Sequence, residues 1–428
     1  MDIALVFGLL VFLILFGLPV GFSMGIASLL AFLLKGTWGF AAVIAQRMYS
    51  GSTSFILLAI PFYILAGLLM NEGGMTQRLV SSARTLVGRF TGGMGHVNVV
   101  ASMLFSGMSG SAVADASGLG LVELEAMREA GYEKRFSAAI TAASSTIGPV
   151  VPPSIPFVIY GALAGVSVGR LFLGGILPGA GMGIALMIAV YLVSHRRGYP
   201  TDTSPISLSQ FFVAVVNALA PLGTIVIIVG GILLGVFTPT EAAVVACAYA
   251  FLLGTVVYRE LDMSRLSHVL LQTVRYTARV MFIIAVASAY AYALTLMQVP
   301  QRLSAALQVI SQEPWLFLLA VNFLLLFLGC FMEGISILIL VVPILLPIAT
   351  NIGIDAVHFG VVITLNLMIG LITPPMGLSL YSVAAVAHMP VQDIVRELWP
   401  YFLALLAVLF TITFVPQIVL WIPDYFMG

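Results

Sequence analysis

One unusual stretch occurs twice in this sequence. The first copy is Ser144-Ser145-Thr146-Ile147-Gly148-Pro149-Val150-Val151-Pro152-Pro153-Ser154, and the second is Leu367-Met368-Ile369-Gly370-Leu371-Ile372-Thr373-Pro374-Pro375-Met376-Gly377. Gly148 and the two following prolines lie 222 residues before Gly370 and its prolines. Both copies lie between long apolar runs, where proline and glycine interrupt a membrane helix and release backbone carbonyls. Because a buried, unpartnered carbonyl is costly, we expect each break to have a use.

The composition predicts a membrane protein. The chain of 428 residues is 61% hydrophobic and 8% charged, with a mean hydropathy of +1.14, whereas soluble domains carry about 25% charged residues. Its apolar runs are continuous rather than alternating, which favours helices over a β-barrel. The 17 basic residues balance the 17 acidic ones, so no basic field indicates nucleic acid as a partner. We therefore predict an all-α polytopic membrane protein.

Two segments are predicted to be re-entrant helical hairpins. Residues 97–122 are apolar, rich in small and polar side chains, and flanked on both sides by basic segments. Basic loops prefer the cytoplasm, so this segment should enter and leave on that side, with Ser109-Gly110-Ser111 near its tip. An ordinary single span that breaks the charge bias is the alternative. Residues 315–349 match this hairpin at the same offset of 222, but Arg302 is the single Lys or Arg in their flanking loops, which predicts entry from outside.

The two halves are predicted to be inverted repeats. Each half contains five predicted crossings and one hairpin, and an odd number of crossings reverses the orientation of the second copy. The first repeat covers residues 1–200 with a hairpin at 97–122 and a broken helix at 136–168; the second covers 211–428 with a hairpin at 315–349 and a broken helix at 359–387. Four further positions match: Leu104–Gly107 with Leu326–Gly329, Gly131 with Gly353, Pro178 with Pro400, and Pro19 approximately with Pro239. Paired broken helices in inverted repeats are typical of secondary transporters with a site near mid-membrane.

Each break is a candidate cation site. Released carbonyls and hydroxyls form a shell of oxygen ligands, which a hard cation needs. The first predicted site combines Ser106, Ser109 or Ser111 with the carbonyls of Gly148, Val151 and Pro153; the second combines Gly334, Gly370, Thr373 and Pro375. The first site has no dedicated aspartate cage, which favours Na⁺ over Ca²⁺, while Glu333 keeps proton coupling open. The alternative is that both Pro-Pro pairs are kinks that only shape packing.

The hairpin tips also predict an anionic substrate. Helix N-termini present free N–H groups and positive dipole ends, which suit carboxylates. The substrate candidates are Ser109, Ser111, Asp115, Ser145 and Glu333. Two other charges at membrane positions have simpler explanations: Glu241 as a first-turn acid at a helix start, and Arg279 as a side chain that reaches the membrane surface. Arg279 was predicted to belong to a basic connector with Arg259, Arg265 and Arg275.

Enzymatic chemistry is not indicated. The five histidines show no metal-ligand spacing, no Ser-His-Asp set lies at one predicted depth, and no GK[ST] phosphate loop occurs. We therefore expect a transporter and not an enzyme, with an intramembrane enzyme as the alternative of a different class.

Four motifs together resemble a known family. They are residues 107–115 (GMSGSAVAD), 147–154 (IGPVVPPS), 238–243 (TPTEAA) and 373–377 (TPPMG). The chain resembles, over essentially its whole length, the large membrane subunit of TRAP (tripartite ATP-independent periplasmic) transporters, the DctM-like family. The resemblance implies an elevator-type importer of an organic acid, such as a C4-dicarboxylate or sialic acid, in a bacterial inner membrane.

The resemblance also implies partners and coupling ions. It implies a separate small four-helix membrane subunit, a periplasmic binding protein that delivers the substrate, and about two or more Na⁺ ions without an organic cofactor. Both chain termini are expected on the periplasmic side. A stand-alone Na⁺- or H⁺-coupled anion carrier that needs no binding protein is the alternative within the same class.

Overall fold

The structure, a computed structural model, is all-helical in the part of the chain that it describes. That part comprises residues 2–36, 40–109, 112–199, 207–299, 301–302, 313–374 and 377–428, without the side chains at 40–41, 106–109, 114, 208 and 210. None of these residues lies in a β-strand, and seven of the helices found there are long and apolar enough to cross a membrane. The predicted class, an all-α polytopic membrane protein, is confirmed.

The helices follow one another with short connections. The first half contains Asp2–Leu15, Val20–Leu34, Phe40–Ser52, Ala59–Glu72, Met75–Val87, Gly93–Ser109, Ala112–Ser117, Leu119–Glu129, Lys134–Ser144, Ile155–Ala164 and Val168–Arg197. The second half contains Leu208–Ile225, Pro239–Leu252, Met263–Leu296, Pro314–Gly329, Gly334–Asn351, Ala356–Gly370, Leu378–Ala387, Val391–Phe414 and Gln417–Met427. Shorter turns lie between them: 3₁₀ turns at Phe55–Leu58 and Ser145–Ile147, π turns at Val226–Gly230 and Leu253–Val257, and the helical turn Gly231–Leu233.

Each repeat contains one hairpin segment and one broken helix. The first hairpin segment is Gly93–Ser109, Ala112–Ser117 and Leu119–Glu129, and the second is Pro314–Gly329 and Gly334–Asn351. The first broken helix is Lys134–Ser144 and Ile155–Ala164, and the second is Ala356–Gly370 and Leu378–Ala387. In each repeat, the first helix of the hairpin segment packs along the broken helix before its break.

The repeat in the sequence is also a repeat of backbone geometry. Gly131 and Gly353 precede the two broken helices, and both adopt left-handed backbone with φ of +80° and +86°, which glycine tolerates without a steric penalty. Pro178 and Pro400 each lie inside the long helix that follows a broken helix. The matched glycines and prolines therefore occupy matched structural positions.

The predicted basic connector is wrong as a connector. Arg265, Arg275 and Arg279 lie in one helix of 34 residues, Met263–Leu296, and all three side chains are exposed. Val269 and Thr273, which lie between these arginines in the chain, are buried against neighbouring helices, so the helix continues through the basic stretch while its arginines stay exposed. The concentration of arginines between residues 259 and 279 predicted a loop, but exposed arginines are equally compatible with one continuous helix.

The two repeats interlock through their broken helices. Ile155–Ala164 packs against the helix Gly334–Asn351 of the second hairpin segment, and Leu378–Ala387 packs against Ala112–Ser117 of the first. The Tyr160 hydroxyl donates a hydrogen bond to the carbonyl oxygen of Ala356 at 2.6 Å, where the second broken helix begins. Reciprocally, the ammonium of Lys134, at the start of the first broken helix, lies 3.3 Å from the carbonyl oxygen of His388. Each repeat therefore buries part of its broken helix against the hairpin segment of the other repeat.

An outer group of helices surrounds part of this inner core. Val20–Leu34, Phe40–Ser52 and Ala59–Glu72 from the first half pack with Pro239–Leu252 and Met263–Leu296 from the second. A hydrogen bond also joins the halves here: the Tyr63 hydroxyl donates to the carbonyl oxygen of Pro239 at 2.9 Å. Large apolar side chains cover the outside, among them Phe12, Leu15, Phe22, Val226 and Leu234. The protein thus presents an apolar surface suited to lipid or to another membrane subunit.

Gly360→Ala is expected to destabilise the core. A methyl group at Gly360 would lie 2.3 Å from the buried ring of Tyr160, whose hydroxyl is bonded and whose position is fixed. Overpacking of this kind costs about 1–3 kcal/mol. The matched control is Gly181→Ala, also in a helix, where the new methyl meets Val408 at an ordinary 3.6 Å. Thermal unfolding in detergent should show a lower Tm for Gly360→Ala only, and an unchanged Tm would contradict the packing.

Candidate cation and substrate site

The first break contains carbonyl oxygens, on buried or half-buried residues, that accept no hydrogen bond from a described backbone N–H. After the 3₁₀ turn Ser145–Ile147, the helix stops at Gly148 and restarts at Ile155. Prolines in between have no N–H to donate, so the preceding carbonyls lose their helical partners. Among the described residues, no backbone hydrogen bond reaches the carbonyls of Gly148, Val151 or Pro153. These are the three carbonyls predicted as ligands of the first cation.

The restart of the first broken helix is fixed by Ser154. Its hydroxyl accepts a hydrogen bond from the backbone N–H of Phe157 at 3.2 Å and donates to the carbonyl of Pro149. The serine is fully buried. A residue that caps the new helix therefore also satisfies one of the carbonyls released by the break.

The first hairpin segment lies against this break. Its helices Gly93–Ser109 and Ala112–Ser117 both pack on the 3₁₀ turn Ser145–Ile147. Asp115 is 1% exposed, and the buried Ser145 donates its hydroxyl proton to the carbonyl of Ala142 at 2.9 Å. Ser106 and Ser109 fall at the end of Gly93–Ser109, but their side chains lie outside the described part, as does all of Ser111. Their ligand roles stay predictions.

At the second break, two glycine backbones meet. A Cβ added to Gly329 would lie 2.7 Å from the Cα of Gly370, and one added to Gly370 would lie 2.8 Å from the Cα of Gly329. Real Cβ atoms do not approach backbone this closely, so only glycine fits at either position. At the offset of 222, these positions correspond to Gly107 and Gly148. The contact therefore joins the end of the hairpin helix Pro314–Gly329 directly to the glycine of the second break.

The second break is more fully bonded than the first. The carbonyl of Gly370 accepts a hydrogen bond from the N–H of Thr373 at 3.0 Å, which uses one of its two lone pairs and leaves the other for a cation. The Thr373 hydroxyl donates to the carbonyl of Ile369 at 2.9 Å, which leaves the lone pairs of the hydroxyl available. Gly334 is buried beside Met368, and Pro375 lies outside the described residues. The second predicted site therefore brings Gly334, Gly370 and Thr373 to one region.

Two acidic residues act as helix caps. The Glu333 carboxylate accepts hydrogen bonds from the N–H and the hydroxyl of Ser336 at 3.0 and 3.2 Å, at the start of Gly334–Asn351. Glu241 forms a capping box with Thr238, which agrees with its explanation as a first-turn acid. The predicted role of Glu333 toward substrate or proton stays a prediction, and the carboxylate has at least this structural use.

Sequence reasoning missed a buried polar network beside the first site. The amide nitrogen of Asn98 donates to the Glu123 carboxylate and to the Thr141 hydroxyl, both at 2.8 Å, and the Ser144 hydroxyl donates to the amide oxygen of Asn98 at 2.7 Å. Glu123 is only 3% exposed. The signal for Ser144 was available, because it belongs to the repeated stretch. Glu123 gave none, since it opens a segment with charges of both signs that resembles an exposed loop.

Comparison with known proteins agrees with this architecture. Residues 7–418 match the family model of the DctM component of the tripartite ATP-independent periplasmic transporter. The chain belongs to this family. The large permease SiaM of the Vibrio cholerae sialic acid TRAP transporter is 46% identical over 412 residues, which cover 96% of each chain. The large permease DctM of the Pseudomonas aeruginosa C4-dicarboxylate TRAP transporter is 38% identical over 403 residues, 94% of each chain.

Two further matches extend the comparison. The Escherichia coli large permease YiaN, of a 2,3-diketo-L-gulonate TRAP transporter, is 38% identical over 378 residues, which cover 88% of this chain and 89% of YiaN. The solved structure of the Alcanivorax borkumensis YdaH transporter superposes with a TM-score of 0.66 at 14% identity, covering 89% and 88% of the two chains. That likeness concerns the fold alone. The relatives are transporter permeases, so this permease is a transporter and not an enzyme.

Gly329→Ala is expected to impair transport. The added methyl would press on the backbone of Gly370, which cannot rotate away as a side chain would, so the hairpin segment must shift from the break. A strain of about 1–3 kcal/mol would lower uptake about fivefold or more at equal protein amount. Uptake of labelled sialic acid or succinate into vesicles measures it.

The control for this substitution is Gly25→Ala, where the methyl would meet Val286 at 3.5 Å. It should transport like the unaltered protein. Full activity of Gly329→Ala would show that the close glycine contact is not needed for transport.

Proposed function

We propose that this permease imports an organic acid anion, of the sialic acid or C4-dicarboxylate type, at the expense of a Na⁺ gradient. The observation that carries the proposal is the first break, with three buried or half-buried carbonyls that lack described backbone partners beside a serine-bearing hairpin segment. In a bilayer such oxygens cost several kcal/mol each unless they bind something. A cation that enters with the substrate satisfies them.

Na⁺ fits the donors better than other cations. The proposed ligands are neutral oxygens: Ser106, Ser109, Ser111, Gly148, Val151 and Pro153 in the first site, and Gly334, Gly370, Thr373 and Pro375 in the second. Neutral oxygens at two sites match a monovalent hard cation, whereas Ca²⁺ sites are rich in carboxylates. Within the described ranges, no group of three His, Cys, Asp or Glu side chains could hold a metal ion. About two Na⁺ ions per substrate follow from two sites.

An anionic substrate is supported by the relatives and by the chemistry of the hairpin tips. The relatives are named for sialic acid, C4-dicarboxylates and 2,3-diketo-L-gulonate, which all carry a carboxylate. Free N–H groups at helix starts bind carboxylates. We assign substrate contacts to Ser109, Ser111, Asp115, Ser145 and Glu333, with the two acids binding hydroxyl or amine groups rather than the carboxylate.

The proposed transport cycle is an elevator motion. The interlocked hairpin segments and broken helices would move as one unit against the outer helices, carrying the ions and the anion across the membrane. The family is one component of a tripartite transporter, and we propose that a small four-helix membrane subunit covers the apolar outer surface. A periplasmic binding protein would deliver the anion. The bacterial inner membrane, with both termini periplasmic, is the proposed location.

Thr373→Ala is expected to weaken Na⁺ dependence. Removal of one oxygen ligand should raise the Na⁺ concentration for half-maximal uptake about tenfold, equivalent to ~1.4 kcal/mol. Thr411→Ala is the matched control, because the Thr411 hydroxyl makes the same type of bond to a preceding carbonyl, at 2.7 Å, but on an exposed surface. Ser109→Ala tests the first site in the same way.

Uptake by the unaltered protein that is equally fast with and without a Na⁺ gradient would refute the coupling.

Omission of the binding protein separates the two transporter hypotheses. If a soluble partner delivers the anion, vesicles containing both membrane subunits should take up labelled sialic acid or succinate only when the cognate binding protein is added outside. Undiminished uptake in its absence would instead establish a stand-alone carrier.

A further inference from the structure

A buried polar contact joins the hairpin segment to the broken helix in the second repeat. The side-chain amide of Asn366 donates to the side-chain oxygen of Asn322 at 2.8 Å and to its backbone oxygen at 3.0 Å. Both side chains are fully buried. Asn366 lies four residues, about one helical turn, before Gly370. Asn322 lies on Pro314–Gly329, two turns before Gly329, so the contact is made close to where the two glycine backbones meet.

The first repeat makes a contact at the equivalent place with different residues. Ser144 corresponds to Asn366 at the offset of 222 and lies four residues before Gly148. Its hydroxyl donates to the amide oxygen of Asn98 at 2.7 Å and accepts from the hydroxyl of Ser102 at 3.0 Å. Asn98 and Ser102 lie two residues on either side of position 100, which corresponds to Asn322. The same two helices are therefore joined at the same height in both repeats.

The polar residues are not needed to fill these positions. Apolar side chains fill nearly all neighbouring buried positions on the same helices, for example Leu325, Ile363 and Leu367. A buried hydrogen-bonded pair forms in one register only, so it adds specificity to helices that otherwise pack through apolar surfaces. The register places the proposed ligands. Ser106 and Ser109 lie on the same helix as Asn98 and Ser102, and Gly334 begins the helix that follows Pro314–Gly329 after the hairpin tip.

We infer that Ser144 with Asn98 and Ser102, and Asn366 with Asn322, are two positioning clamps that set the Na⁺ affinity of the two breaks. They do not ligate the ion; each holds a hairpin segment at the height where its tip and the released carbonyls form one oxygen shell. This inference rests on the proposed Na⁺ coupling. The two copies thus make a polar contact between the same two helices with different residues.

The clamps differ in what else they hold. Asn98 also bonds Glu123 on Leu119–Glu129, so the first clamp joins both sides of its own hairpin segment to the broken helix. Asn322 instead donates to the hydroxyl of Thr413 at 2.9 Å, on the long helix Val391–Phe414. The first clamp therefore fixes a whole hairpin segment, while the second fixes one hairpin helix against Val391–Phe414, which itself packs on both broken helices. We expect loss of the first clamp to affect Na⁺ affinity at least as strongly.

Thermal unfolding in detergent tests the clamps without any substrate. The purified full-length chain is titrated with NaCl at constant total NaCl plus KCl, and the Na⁺ concentration for half the maximal rise in Tm is measured. Asn366→Ala and Ser144→Ala should each raise this midpoint about three- to twentyfold, the range expected for a lost interhelical hydrogen bond in a membrane protein. Asn366→Ser, which keeps a hydroxyl donor facing Asn322, should lose less affinity than Asn366→Ala.

Thr364→Val is the matched control. Thr364 lies on the same helix as Asn366 and is equally buried, and its hydroxyl has no hydrogen-bond partner among the described residues. Its Na⁺ midpoint should equal that of the unaltered protein. Ser144→Ala removes a single oxygen atom, so it keeps the test decisive if Asn366→Ala fails to fold.

Three results would overturn the inference, and they are distinguishable. If the clamp variants lower Tm in KCl but leave the Na⁺ midpoint unchanged, the contacts only stabilise the fold. A shift for Thr364→Val as large as for Asn366→Ala would mean that the effect is not specific to the clamp. If the Tm of the unaltered protein is the same in NaCl and KCl, the proposed Na⁺ coupling itself fails. The clamps then cannot set a Na⁺ affinity.

Discussion

A membrane helix that stops and restarts leaves carbonyl oxygens without N–H partners, and inside a bilayer no water replaces those partners. This constraint governs the inner core of the permease. Ser154 satisfies one carbonyl of the first break, and Thr373 and Ser379 donate N–H groups to carbonyls of the second. The carbonyls that are left over in the first break lie next to a hairpin segment. The carbonyl oxygens of Gly148, Val151 and Pro153, which lack described backbone partners, are therefore the ones proposed to bind a cation.

The interlocking of the repeats keeps these breaks rigid. Each broken helix packs, after its break, against the hairpin segment of the other repeat, and Tyr160 and Lys134 tie the start of one broken helix to the other. A shift of one hairpin segment therefore strains both halves. Such coupling suits a transporter that must bind its ions and its substrate together, because partial occupancy leaves strained or unsatisfied groups in the shared core.

The two sites are related but chemically unequal. The first contains carbonyls without described backbone partners, lies against the first hairpin segment, and adjoins the buried residues Asp115 and Glu123. At the second, the glycine backbones of Gly329 and Gly370 touch and Gly370 is already bonded. The first break therefore leaves more carbonyl oxygens without a described backbone partner than the second.

The sequence predicted the features that depend on backbone chemistry alone. Glycine and proline restrict the backbone through their own covalent structure, so the two breaks and the matches of Gly131 with Gly353 and Pro178 with Pro400 could be recognised from spacing. The left-handed backbone of the two glycines and the place of the two prolines inside long helices are findings of the structure. Pairings between distant side chains were not, because Asn98 with Glu123 or Asn322 with Asn366 leave no local pattern. The helix Met263–Leu296 was missed because its arginines all lie on one exposed face. The serine ligands at the first tip stay predictions from motif and spacing.

The central claim, that each break binds a Na⁺ that is carried with the substrate, is tested most directly by the stoichiometry of transport. Vesicles that contain the permease and its partners would be supplied with ²²Na⁺ and labelled sialic acid or succinate, and the initial fluxes of both measured in the same sample. The account predicts about two or more Na⁺ per anion. A ratio near one would show that only one of the two breaks carries a Na⁺. Anion uptake without ²²Na⁺ entry would contradict the account altogether.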